Sequence, residues 1–288
     1  MDRSEVELRR AGSAAPGKAQ RGGFGLGARG QATIRGDGEA AEFDRVHGGT
    51  GLSQRDEHTI TAAKMALGQS LSMVLAPPHP AARPFLIGGG AAALLGLILL
   101  GNWLFWLSAI FIAFCLYFFR DPERFPPDRA GLVLAPADGH VVSVAEAVPP
   151  VELGMGDAPR WRVAIFLSVL DVHVNRMPAD GTVTRVAYHH GKFLSANLDK
   201  ASEENERNAL AIALPDGRDL AVVQIAGLVA RRILCDAKAG DSVQAGERFG
   251  IIRFGSRTDV YLPLGVLPMA REGQTMIGGE TVIAELSA

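Results

Sequence analysis

The chain has 288 residues, the length of one large domain or two small ones. Its 29 basic and 31 acidic side chains nearly cancel, which excludes the charge asymmetry of a nucleic-acid binder or a polybasic membrane protein. Two cysteines exclude a disulfide framework or a Cys-rich metal site, and a mean hydropathy of +0.14 makes the chain more apolar than an ordinary soluble enzyme. With 34 Gly and 16 Pro, turns and short strands are favoured over long helices.

Residues 1–64 are rich in Gly, Ala and Arg and sustain neither a helical nor an alternating apolar pattern. Such a segment buries too little surface to offset its ordering entropy, so disorder is expected. It lacks the apolar core of a signal peptide, so it is not read as a secretion signal. The alternative is that the working protein begins at Met65 or Met73 and the preceding residues come from an over-extended reading frame.

Residues 65–124 form the second region. From Phe85 to Phe119 run 35 residues without a charge, bounded by Arg83 and by Arg120-Asp121. A membrane segment is the default reading of such a run. Gly101-Asn102 is a turn signal that divides it into Phe85–Leu100 and Trp103–Phe119. Each arm would be roughly 25 Å long as a helix, slightly short of a ~30 Å hydrocarbon core, so a tight hairpin, fully or partly inserted, is expected. Trp103 and Trp106 near the turn suit an interface, and Arg83, Arg120 and Arg124 favour the cytoplasmic side of the cell membrane. A buried helical hairpin in a soluble domain is the alternative.

Residues 125–288 change character after Phe125-Pro126-Pro127. Short apolar runs recur at Leu132–Leu134, His140–Val144, Arg162–Leu170, Gly181–Ala187, Ala209–Leu214, Leu220–Ala226, Arg231–Cys235, Arg248–Phe254 and Thr281–Leu286, separated by turn signals such as Pro215-Asp216-Gly217. The expected fold is mainly β (α+β), a compact antiparallel barrel-sandwich domain after a helical hairpin. One helix is expected at Leu198–Asn208. Gly240–Ile252 has the strand–turn–strand rhythm of lipoyl-type barrels, and Ala135–Val141 is the expected opening of a matching half.

Three polar groups interrupt the apolar pattern. Asp138 precedes Gly139, a pairing usual in turns but also open to a functional reading. Asp171, His173 and Asn175 share one face if the strand before them continues, and a histidine at a strand end is a candidate proton carrier. Gly255-Ser256 leaves the last barrel-like strand; glycine permits backbone geometries that a Cβ forbids and exposes its carbonyl to attack. The adjacent His189 and His190 point to opposite faces of a strand and cannot share a metal. Cys115 and Cys235 read as small buried residues. No zinc motif, Walker loop or dinucleotide fingerprint occurs.

In combination these groups are specific. Pro136-Ala137-Asp138-Gly139, Phe166-Leu167-Ser168, Asp171-Val172-His173, Gly191–Asn197, Asn205-Glu206-Arg207 and Phe254-Gly255-Ser256 follow one another in this order. The pattern resembles the phosphatidylserine decarboxylases, closest to their short-form branch, over about residues 65–288; Tyr117–Arg124 also looks like that branch. The resemblance implies a self-processing enzyme that converts phosphatidylserine in the membrane to phosphatidylethanolamine and CO2. It implies cleavage between Gly255 and Ser256, conversion of Ser256 to a covalent pyruvoyl cofactor that reacts through a Schiff base, and a heterodimer of the two fragments. The charge balance and the lack of motifs give the expectation of no nucleic acid and no metal.

The long-form branch uses an Asp–His–Ser triad whose His lies three residues beyond the His of the DxH motif. That position here is Arg176, a poor base at neutral pH, so the triad does not transfer intact. The expectation is that His173, oriented by Asp138, serves as base in processing and as proton donor in decarboxylation. His140, two residues past Asp138, is the rival. Lys192, Arg207, Arg231 and Arg232 are candidate partners of the lipid phosphate. A different class, a membrane-tethered lipoyl-like adaptor, would suit the anchor. However, no long heptad stretch lies between Gly139 and Gly240, and no modifiable Lys lies within Asp241–Gly246.

Overall fold

The computed structural model describes residues 74–191, 205–227, 232–253 and 256–286. The expected disorder of 1–64, the alternative starts at Met65 and Met73, and the site residues Lys192, Arg231 and Gly255 lie outside these residues.

The charge-free run folds as a helical hairpin. A 3₁₀ turn, Pro80–Ala82, is capped by the His79 ring, which accepts from the Ala81 amide (3.2 Å). It leads into α1 (Arg83–Leu95), a π-helical turn (Gly96–Leu100) and α2 (Asn102–Phe118). Gly101 makes the reversal at φ 87°, a conformation that side-chain-bearing residues rarely adopt. Pro80–Leu99 is a continuous helical stretch of mean hydropathy 1.7, long and apolar enough to cross a membrane by length and composition. The arms stay exposed: Ile98, Leu99, Trp103, Trp106 and Ile110 are each about two-thirds accessible. The hairpin root is stitched by the amide of His79 to the Phe119 carbonyl (2.7 Å) and that of Asp121 to the Pro77 carbonyl (3.0 Å).

The remaining chain is mainly β and antiparallel throughout. Its strands are β1 (Leu132–Leu134), β2 (Gly139–Ala147), β3 (Arg160–Leu167), β4 (Val174–Arg176), β5 (Gly181–His189), β6 (Arg207–Ala213) and β7 (Asp219–Ala226). They continue as β8 (Ile233–Cys235), β9 (Ser242–Val243), β10 (Arg248–Ile252), β11 (Ser256–Tyr261), β12 (Thr275–Met276) and β13 (Val282–Glu285). Eight strands form one curled sheet in the order β12-β2-β3-β11-β7-β6-β5-β9; β4-β10-β8 and β1-β13 are smaller sheets. Thus β9 and β10, which share the lipoyl-like rhythm, join different sheets.

Period-two alternation places Val163, Ile165, Leu210, Val222 and Val260 inside the curled sheet, where they form the main core. A second cluster joins the hairpin root to the smaller sheet: Cys115, Phe118 and Phe119 pack on Val172, Val174 and Ile251.

Two expectations are corrected. The run Arg162–Leu170 does not continue as a strand: β3 ends at Leu167, and the Asp171 carboxylate accepts from the Ser168 amide (2.7 Å), closing a turn that leaves Leu170 exposed. Of the helix expected at Leu198–Asn208, Arg207 and Asn208 belong to β6. Residues 198–204 lie outside the described residues.

Candidate active site

Ser256 opens β11, the strand at the centre of the curled sheet, with Leu167 of β3 and Ala226 of β7 as its cross-strand partners. Partners across a sheet share a face, so Ser256 and Thr258 lie on the interior face with Leu167, Ile165 and Gln224. Ser256 is fully buried, and its Oγ has no hydrogen-bond partner. A buried hydroxyl left in this state costs about 1–3 kcal/mol. The strand end beside it is pinned by Asn205, whose Nδ2 donates to the Ala226 carbonyl (2.7 Å).

His173 is fully buried just before β4. Its carbonyl accepts from the amide of Ile252 (3.4 Å), four residues before Ser256. The imidazole Nδ1 lies 2.9 Å from the Asp171 carbonyl. A carbonyl only accepts, so Nδ1 carries the proton and Nε2 keeps its lone pair. That Nε2 is buried without a partner. The ring of Phe118 covers the imidazole at 4.2 Å between centroids. Burial lowers the pKa of His173 to about 4, so the ring is neutral at physiological pH.

The loop carrying His173 is fastened to the hairpin. Arg120 Nη2 (2.7 Å) and the Tyr117 hydroxyl (3.2 Å) both donate to the Leu170 carbonyl, while Arg120 Nη1 donates to the Tyr117 carbonyl (2.8 Å). The Arg120 guanidinium also lies over the Tyr117 ring at 4.0 Å. The two bonds to the Leu170 carbonyl join residues about fifty apart, and no sequence spacing announces them.

The expected orientation of His173 by Asp138 is not what the contacts show: the orienting acceptor is the Asp171 carbonyl. Asp138 instead accepts from Arg124 Nη2 (2.7 Å) and from the Gly278 amide (2.8 Å). Burial raises its carboxyl pKa, with Arg124 opposing. Asp138 sits in a bend before β2, so alternation does not carry it to the face of His140. His140 pairs with Phe166, which pairs with Arg257; His140 is therefore on the opposite face from Ser256, and it is exposed. Arg176, at the position of the long-form histidine, spans carbonyls of Gly246 (3.0 Å) and Pro122 (2.8 Å) and pairs with Asp121 (3.2 Å). Its pKa, lowered to about 10 by burial, still leaves it charged.

The interior face holds a polar ladder. Asn208 Nδ2 donates to Gln224 Oε1 (3.0 Å), and Gln224 Nε2 donates to Asn175 Oδ1 (2.8 Å). Asn175 Nδ2 and Thr258 Oγ1 remain buried and without partners. Among the phosphate candidates, Arg207 lies on the other face of the sheet, paired with Glu152. Arg232 is exposed and lines a cavity of about 370 Å³ with Tyr188, Asn208 and Cys235. A larger cavity, about 980 Å³, lies between Pro126–Ala130 and Ser242–Ala245 and touches none of these groups. Among the described residues no cluster of three or more His, Cys, Asp or Glu could hold a metal.

Residues 111–284 match the model of the phosphatidylserine decarboxylase family. A phosphatidylserine decarboxylase proenzyme of Granulibacter bethesdensis is 74% identical over 226 residues, 78% of this chain and 92% of that protein. Proenzymes of the same name from Gluconacetobacter diazotrophicus and Gluconobacter oxydans are 70% and 63% identical; each is matched over its full length and over 77% of this chain.

Proposed function

The chain belongs to the phosphatidylserine decarboxylase family, and from that premise we propose that it builds its own catalytic group at Ser256 and then removes CO2 from phosphatidylserine, leaving phosphatidylethanolamine. The observation that carries this reading is that Ser256 Oγ and His173 Nε2, a hydroxyl and a basic nitrogen, are both buried without a hydrogen-bond partner. A hydroxyl without a partner is free to attack, and a neutral imidazole with its lone pair at Nε2 is free to take a proton.

In the first stage Ser256 Oγ attacks the Gly255 carbonyl carbon and gives its proton to His173. The Gly255–Ser256 C–N bond breaks, the amine takes a proton, and an ester replaces the amide. A base then removes the Ser256 α-proton while the Cβ–Oγ bond breaks, which frees the Gly255 carboxylate and leaves a dehydroalanine end. Water adds and ammonia leaves, giving a pyruvoyl end on the fragment 256–288. The two fragments stay together because β11, in the smaller one, pairs with β3 and β7 of the larger.

A pyruvoyl group supplies an electrophilic carbonyl and an electron sink for the departing carboxylate, chemistry no ordinary side chain offers. Ser256 fits it: the position is dry, interior and lined by polar atoms in need of partners. The chain's own residues do the rest. His173, neutral at the outset, takes a proton from the substrate's ammonium group and returns it to the carbon that CO2 has left. Arg120 and Tyr117 hold its loop, and Phe118 keeps water from its ring.

The hairpin of region 65–124 enters the membrane from the cytoplasmic side and keeps the catalytic region 125–288 against a substrate of negligible aqueous concentration. Its exposed apolar arms support this reading. Two variants test the scheme. Ser256→Ala is expected to remain one uncut chain that releases no CO2 from phosphatidylserine vesicles. His173→Asn is expected to remain uncut as well; normal cleavage without decarboxylation would confine His173 to the second stage, and full activity would remove it from both.

A further inference from the structure

Arg253 follows β10 and stands three residues before Ser256, a path of at most about 11 Å along the chain. Its guanidinium lies over the ring of Phe85, 5.3 Å from the centroid, and its Nε is buried without a partner. Phe85 stacks on Phe119 (5.3 Å), Phe119 meets Phe118 (5.0 Å), and Phe118 covers His173 (4.2 Å). One aromatic row thus runs from Arg253 at the hairpin root to the buried imidazole.

The Arg253 amide donates to the Arg232 carbonyl (3.2 Å), which keeps the two arginines neighbours whatever their side chains prefer. Neither forms an ion pair with a carboxylate among the described residues. Burial and, after it, the charge of Arg232 lower the pKa of Arg253, as expected where like charges are held together. An anion between them would remove that repulsion and give the stranded Nε an acceptor. Guanidinium forks suit phosphate oxygens, and the root of an inserted hairpin is where the phosphate layer of a bilayer meets the protein.

We propose that Arg253 and Arg232 form a binding site for the phosphodiester of the serine head group, between the hairpin root and Ser256. The proposal rests on the reading of the chain as a phosphatidylserine decarboxylase and adds the anchor that orients the substrate. Arg253 holds the phosphate while the serine end reaches position 256; chain cleavage, which needs no lipid, does not use it.

The test uses the full chain in mixed micelles of detergent and phosphatidylserine. Arg253→Gln and Arg232→Gln are each expected to cleave normally and to raise KM about tenfold or more with kcat little changed, and Arg253→Lys to recover part of the loss. An unchanged KM in both glutamine variants, or a fall in kcat at constant KM, would overturn the assignment. If Arg253→Gln does not fold, Arg232→Gln and Arg253→Lys carry the same test. Calorimetry with the uncut Ser256→Ala chain separates this proposal from the catalytic one. Glycerophosphoserine is expected to bind it, and to bind about tenfold more weakly once Arg253→Gln is added. Inorganic phosphate binding as tightly as glycerophosphoserine would assign the site to free phosphate and contradict the head-group proposal.

Discussion

Acidification is the perturbation that reads His173 most directly. Burial holds its pKa at about 4 against an ordinary value of 6.5. At about pH 5.5 roughly 97% of the folded chains would then carry a neutral imidazole, whereas an ordinary histidine would be only about 9% neutral. If His173 is the processing base, cleavage is expected to proceed at nearly the same rate at about pH 7.5 and about pH 5.5, and to halve only near pH 4. The assay is a pH jump on freshly synthesised uncut chain in detergent, followed by electrophoresis. A rate that falls about tenfold between those two conditions would refute a buried, neutral base. The same shift has a consequence for stability. Between pH 6.5 and about 4 the unfolded chain binds a proton that the folded chain refuses, so stability falls with pH across that window, by about 3 kcal/mol in total. Melts of Ser256→Ala report this without interference from cleavage. Phe118→Ala, which removes a fully buried ring from the imidazole, is expected to cost about 3–5 kcal/mol and to move the acid limb of cleavage up towards 6.5.

Asp138→Asn leaves the buried Arg124 guanidinium without its carboxylate and is expected to cost about 3 kcal/mol in denaturant melts; adding Arg124→Gln is expected to restore stability. If the double variant also recovers cleavage, Asp138 has no chemical role. Arg120→Gln takes the guanidinium from the Leu170 carbonyl and is expected to slow cleavage at least tenfold, while Arg83→Gln, equally near the hairpin but exposed, leaves it unchanged. Equal effects of the two would reduce Arg120 to a flanking charge. Trp103 and Trp106, 65% and 64% exposed, are expected to shift their emission to the blue on adding vesicles and to be quenched by brominated acyl chains; no change would place the hairpin outside the lipid.

The parts legible in the sequence were those governed by local rules. A charge-free run with Gly101-Asn102 at its middle could bury its backbone only as helices, and it is a helical hairpin turning at that glycine. Alternating apolar runs between turn signals gave most strands of the curled sheet within a few residues, because the interior face needs every second side chain. The strand before His173 was overextended because Val169 and Leu170 continue the apolar pattern; its end is set by the Asp171 carboxylate on the Ser168 amide, and both apolar residues are exposed.

The site was legible as a set of residue types but not as a network. The Arg124–Asp138 pair and the Arg120 grip on Leu170 join the stretch just after the hairpin to positions 14 and 50 residues further on, so neither partner hints at the other. Arg176 reads in sequence as a base gone missing; in the fold it is a clamp on the carbonyls of Gly246 and Pro122. Phe118 was simply one more apolar residue of the hairpin until the fold laid it on His173.

Intact mass of the purified protein bears most directly on the whole scheme. Two polypeptides are expected, one ending at Gly255 and one of 33 residues and about 3.5 kDa, scaled from 30.5 kDa for 288 residues. The small one should be lighter by one ammonia than a fragment with a free serine amine, and resistant to Edman degradation. A single full-length species with decarboxylase activity, or a small fragment of the full serine mass, would contradict the account.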